Sequence, residues 1–60
     1  MMKKIMKEFD ININNSMIKI TEQVTKKLIE LEKSGFLIES YEVGSRGILS
    51  VYGFEVNKND

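Results

Sequence analysis

Apolar residues fall on alternate positions from residue 5 to residue 13. Ile5, Phe9, Ile11 and Ile13 share one parity with Lys7, while Met6, Glu8, Asp10 and Asn12 share the other. A period of two predicts a half-buried strand. Asn14-Asn15 follows as a turn, because asparagine tolerates left-handed backbone, and residues 17–20 read as a short second strand. The period then changes. Val24, Leu28 and Leu31 recur at i, i+4 and i+7, which is one apolar stripe on a helix. Thr21 is placed to cap it, Glu22 suits the positive end of its dipole, and Glu22 with Lys26 forms an i,i+4 pair. Ser34-Gly35 ends it, with Gly35 in the left-handed cap conformation and Phe36 folded back on Leu31. The predicted helix is therefore 22–34. The same spacing carried back through Ile20 and Met17 permits a start at Ser16. The later start is preferred because Ile18, Ile20 and Thr21 suit extended backbone.

Residues 36–43 and 48–56 predict a β-hairpin around Gly44-Ser45-Arg46-Gly47. With Ser45-Arg46 as the two central residues, Val43 faces Ile48, Tyr41 faces Ser50, Glu39 faces Tyr52 and Leu37 faces Phe54. That face is apolar enough to cover the helix stripe. The opposite face then carries Phe36, Ile38, Leu49 and Val51 beside Ser40, Glu42, Gly53 and Glu55. A half-solvated sheet is polar on its outer side. An outer face with four large apolar residues leaves three readings. It is a contact surface, since contiguous exposed apolar patches mark interfaces; or the hairpin register is displaced by one residue, which would scramble the two sets; or residues 5–20 fold under the sheet and cover it. The contact surface is preferred.

These elements predict an α+β fold: one helix packed on a three- to four-stranded antiparallel sheet, in the order β-(β)-α-β-β, assembled as a homodimer. Sixty residues form one domain, 1–60, with 1–4 and 57–60 expected to fray. A chain of this size buries only about 60% of its unfolded surface, so support from a partner chain is expected. Cysteine and histidine are both absent. Disulfides, thiolate ligands, the commonest metal ligand and the commonest general base go with them. No apolar run approaches the ~18 residues a membrane span needs. The lysine-bearing start MMKKIMKEFD has no apolar core of a signal peptide. A cytoplasmic protein without cofactor is the expectation.

Lys+Arg and Asp+Glu number nine each, giving a net charge of zero. Residues 1–20 carry +2 and residues 36–60 carry −2. The bland reading is solvated faces, and the sharper one is an end-to-end dipole that orients a partner. Asp10-Ile-Asn12-Ile-Asn14-Asn15 echoes the opening of a calcium loop, but Asn15 stands where glycine is required and Thr21 where a bidentate glutamate belongs. Glu39 beside Tyr52 is the one acid–base pairing the register suggests, and sixty residues leave little room for a deep pocket.

The stretch LIELEKSGFLIESYEVGSRGILSVYGFEV resembles the end of a winged-helix DNA-binding domain. Leu31-Glu32-Lys33-Ser34-Gly35-Phe36-Leu37 matches the helix end, and Arg46 falls at the wing tip. The resemblance covers about half the chain and implies a dimeric regulator that contacts nucleic acid through helix 22–34 and Arg46. Such a domain also has two helices ahead of this one, where this chain alternates like a strand. Turn chemistry alone accounts for Gly44 and Gly47.

The expected function is a non-enzymatic protein-binding module, an inhibitor or modulator of a larger protein. Small phage and mobile-element proteins that disarm host systems are of similar size and composition. The expected interface residues are Phe36, Ile38, Leu49 and Val51, with Tyr41 and Tyr52 at its edges. Arg46, Lys26 and Lys27 are the candidate contacts to a partner or to nucleic acid. The expected partners are a second copy of the chain and a larger protein target.

Overall fold

The structure is a computed structural model and describes residues 3–55. Its elements are β1 (Lys3–Asp10), α1 (Met17–Lys33), β2 (Phe36–Val43) and β3 (Ile48–Glu55). The sheet order is β1-β3-β2 with both pairings antiparallel, so the last strand in sequence lies at the centre. β1 and β2 flank β3 and are joined through α1, a split β-α-β unit closed by a hairpin. One helix on a three-stranded antiparallel sheet is the expected α+β architecture, with one strand fewer than the upper expectation. Lys3 and Lys4, expected to fray, pair with Glu55 and Phe54 in the ladder. The expected fraying of residues 1–2 and 57–60, and the strand position of Val56, lie outside the described residues.

Residues 17–20 are helical, which corrects the second strand and the cap at Thr21. Ser16 is the N-cap: its backbone is extended, and its Oγ accepts from the Lys19 amide at 3.3 Å. The β-branched side chains of Ile18 and Ile20 favour strand only weakly, and tertiary packing overrides such preferences. Here Ile20 extends the stripe of Val24, Leu28 and Leu31 against the sheet. A two-way clamp fixes the entry to the helix. The Asn12 amide donates to Gln23 Oε1 at 2.9 Å, and Gln23 Nε2 donates to the Asn12 carbonyl at 2.9 Å. Asn12 Oδ1 in turn accepts from the Asn14 amide at 3.0 Å, a local Asx turn that gives this stretch its bend. At the other end Gly35 takes φ 97°, as its cap position requires, and its amide donates to the Glu32 carbonyl at 3.1 Å.

The hairpin register differs from the expected one, and the loop is the reason. The Gly47 amide donates to the Gly44 carbonyl at 3.0 Å, and the Gly44 amide donates to the Ile48 carbonyl at 2.8 Å. Gly47 sits at φ 84°. This is a turn followed by a left-handed residue, a three-residue loop rather than a two-residue one. Val43 therefore pairs with Leu49, not Ile48. A one-residue slip moves every side chain of the strand to the other face. All of β3 is inverted relative to expectation: Leu49, Val51 and Gly53 face α1, while Ile48, Ser50, Tyr52 and Phe54 face away. A register irregularity between Ile38 and Ser40 leaves Glu39 as an extra residue in β2. It restores the expected pairing of Leu37 with Phe54 but turns Phe36 and Ile38 toward the helix.

The core follows from that register. Val24 and Leu31 of α1 pack on Phe36, Leu49 and Val51, and Ile11 closes one end. Leu49 and Val51, on the central strand, are 0% exposed. Each such side chain stabilises the fold by about 1.5–3 kcal/mol relative to exposure.

Candidate interaction surfaces

The residues expected to form an outer apolar patch do not share a surface. Phe36, Leu49 and Val51 are buried beneath α1, and Ile38 is half-buried against the same cluster. They are the inner face of the sheet, placed there by the loop length and the extra residue in β2. Tyr41 also lies on the helix side, yet it stays half exposed because β2 is an edge strand. Tyr52 is on the open face, where its hydroxyl donates to Glu42 Oε1 at 2.8 Å. That hydrogen bond raises the Tyr52 phenol above its ordinary value, and desolvation and the charges of Glu42 and Glu8 add to the shift.

The three candidate cations are also separated. Arg46 lines a shallow depression on the open face with Glu8, Glu42 and Ser50. Lys26 flanks a groove on the outer side of α1. Lys27 lies 3.7 Å from Glu30, with its ammonium 5.4 Å from the centre of the Phe9 ring. Glu22 pairs with Lys19 at 3.9 Å rather than with Lys26. Ahead of α1 the described residues hold a strand, where a winged helix has two helices.

Among the described residues two surfaces are left uncovered. The first is the open face of the sheet. Across its three strands the rows read Lys4–Phe54–Leu37, Met6–Tyr52–Ser40 and Glu8–Ser50–Glu42. One end is apolar, with Met6 and Leu37 about half exposed beside Phe54 and Tyr52. The other end is acidic, with Glu8, Glu42 and, one row further, Asp10. Lys4 reaches over the apolar end to Glu39 at 3.0 Å. No ion pair among the described residues engages Glu8, Asp10 or Glu42.

The second surface is the outward side of α1. Met17 is 76% exposed, Ile18 72% and Ile29 44%. With Thr21 and Thr25 they line an apolar groove flanked by Glu22 and Lys26. Beside it a second groove runs from Met17, Thr21 and Thr25 down to Tyr41 and Val43 at the β2 edge. These helix residues carry no function in the sequence-based expectation, because a start at Thr21 leaves Met17 and Ile18 outside the helix. With Ser16 as the cap, Ile18, Thr25 and Ile29 fall at i, i+7 and i+11, a second stripe beside the core stripe.

No group of three or more acidic, cysteine or histidine side chains able to hold a metal occurs among the described residues. None of their helices is long and apolar enough to cross a membrane. Comparison of the chain with protein-family models, with curated proteins and with solved structures returns no match.

Proposed function

We propose that the chain is a non-enzymatic protein-binding module, a small cytoplasmic inhibitor or modulator that docks on a larger protein, of the kind phages and mobile elements direct at host machinery. The open sheet face carries this reading. It sets Met6, Leu37, Tyr52 and Phe54 beside the carboxylates of Glu8, Asp10 and Glu42, with none of the described elements above them. An apolar anchor area beside a charged one is the anatomy of a specific protein interface, the first supplying affinity and the second steering and register. The complementary partner surface is basic with an apolar recess. Net neutrality and the scattering of Arg46, Lys26 and Lys27 over two sides of the fold give little to neutralise a phosphate backbone.

A photoreactive phenylalanine analogue at Leu37 tests the proposal, because that side chain is half exposed on the open face. In extract of the source cell it is expected to form one dominant protein adduct. Reversing charge at Glu8 and Glu42 to lysine is expected to suppress that adduct with the fold intact by circular dichroism. Retarded DNA in a low-salt gel, fading steeply as salt rises and unaccompanied by a protein adduct, would replace this function with nucleic-acid binding.

A further inference from the structure

We infer that the outward side of α1 is a self-recognition surface, on which two copies of the chain pair their helices antiparallel about a two-fold axis. The expected homodimer is thereby assigned a surface different from the open sheet face. Either assignment can fail without the other.

The groove residues make the occupant specific. Ile18 and Ile29 stand eleven positions apart, and midway between them lie Thr21, Glu22 and Thr25. In an antiparallel pair centred there, Ile18 of one copy meets Ile29 of the other, twice by symmetry, as a closed two-fold interface requires. The threonines are small enough at the crossing to let the helices approach to packing distance. Glu22 and Lys26 lie on the same flank of α1. In an antiparallel pair each flank faces its own symmetry mate, so Glu22 of one copy meets Lys26 of the other. The Glu22 contact within the chain is a long one, 3.9 Å to Lys19 with both side chains largely exposed. Lys26 makes no ion pair with a described residue. The surface is complementary to itself in both shape and charge. A parallel pair would set each flank against the opposite flank, leaving Glu22 and Lys26 of the two copies on different sides of the seam.

The sheet edges offer a poorer route to a dimer. β1 presents Lys3, Lys4 and Lys7 along its length, and β2 carries the extra residue Glu39 and a second glutamate, Glu42. Lysines, bulges and like charges are the devices that keep edge strands from pairing. The outward side of α1 carries no such protection beyond its complementary flank. A single helix pair is a small interface beside the specific ones that bury about 1,000 Å² or more, so self-association is expected to be weak and dependent on concentration.

Sedimentation equilibrium across a concentration series supplies the primary test. The wild-type chain is expected to move from monomer to dimer. Ile18→Asp is expected to remain folded, since the side chain is 72% exposed, and to weaken dimerisation at least tenfold. Glu22→Lys and Lys26→Glu are each expected to weaken it several-fold, and the double exchange E22K/K26E to restore it. Orientation is read by crosslinking in a chain without native cysteine. Mixed Ile18→Cys and Ile29→Cys chains should form the mixed disulfide in preference to either homodisulfide. A monomer at all concentrations, a dimer indifferent to Ile18→Asp, or a preference for the homodisulfide of the Ile18→Cys chain would each overturn the inference.

Discussion

Replacing Gly53 with alanine tests whether the extra residue in β2 and the central strand are built around one another. Gly53 lies on the helix side of β3, opposite Ile5 and Ile38, next to the point where the β2 register shifts. A Cβ placed there overlaps the Leu37 carbonyl oxygen and comes within 2.8 Å of a ring carbon of Phe36. The oxygen is backbone, held in the ladder, so it cannot swing aside as a side-chain terminus would. Overpacking of a tight site costs typically 1–3 kcal/mol, and a backbone obstacle puts this site at about 2–3. Alanine returns about 0.4–1 kcal/mol by restricting the unfolded chain. The net loss is then about 1–2.5 kcal/mol, against about 3–9 for a whole domain of this size. At about 4–8 °C per kcal/mol, the melting temperature falls by about 4–20 °C. The assay is thermal denaturation by far-ultraviolet circular dichroism at one fixed concentration, since the proposed dimerisation would make melting concentration-dependent. Gly44→Ala is the matched control. A Cβ there meets only the Ile48 carbonyl at 3.6 Å, an ordinary contact, so its effect should stay within about 0.5 kcal/mol. A Gly53→Ala melt within about 2 °C of wild type, or a Gly44→Ala loss just as large, would refute the geometry.

Ser16→Ala removes the side-chain acceptor for the Lys19 amide and is expected to cost about 1 kcal/mol, measured by urea denaturation with an unchanged slope; Thr21→Ala should cost much less, because Thr21 is inside the helix. Val51→Asp places an unpaired carboxylate at a fully buried position and is expected to unfold the chain outright, lost as cooperative melting rather than as a shift from dimer to folded monomer. Tyr52 is expected to titrate above its ordinary value, and Glu42→Gln to bring it down, both followed by tyrosinate absorbance. Its raised value means that the folded state holds the phenolic proton more firmly than the unfolded state. The associated stability is present below the ordinary tyrosine range and is lost as pH rises through the folded value.

Much of the fold is legible in the chain because the strongest periodicities survive packing. The stripe of Val24, Leu28 and Leu31, the glycine cap at Gly35 and the strand of residues 36–43 all appear where the pattern puts them. What is not legible is whether the loop has two or three residues. Gly44-Ser45-Arg46-Gly47 suits either, and the choice turns on which glycine takes positive φ, a difference of local geometry that composition does not encode. That single residue decides whether Leu49 and Val51 or Ile48, Tyr52 and Phe54 meet the helix. The helix start is similarly balanced. Ser16 and Thr21 are both good caps, and the outcome rests on tertiary terms, the packing of Ile20 and the Gln23–Asn12 clamp, that span 11 residues. The candidate interface moved for the same reasons: the expected patch is the core, and the exposed apolar residues lie where the slipped register and the longer helix leave them.

The charge pattern changes meaning once the topology is known. A chain basic at its start and acidic at its end suggests a dipole along the molecule, but the sheet order sets β1 directly beside β3 and one strand from β2. Lys4 then meets Glu39 at 3.0 Å and Lys7 meets Glu55 at 3.7 Å. The gradient is largely consumed in cross-strand pairing, where exposed pairs contribute only about 0–1 kcal/mol each but keep like charges apart. What escapes neutralisation is local. Glu8, Asp10 and Glu42 gather at the hairpin end of the open face, with Arg46 at their margin. A field confined to one end of one face acts within a screening length of about 8–10 Å. It can orient a partner already close to the surface but cannot collect one from a distance. The proposed recognition by this face would therefore draw its affinity from Leu37, Met6, Tyr52 and Phe54 and its register from the carboxylates. Reversing Glu8 and Glu42 should slow association, whereas Leu37→Asp should speed dissociation.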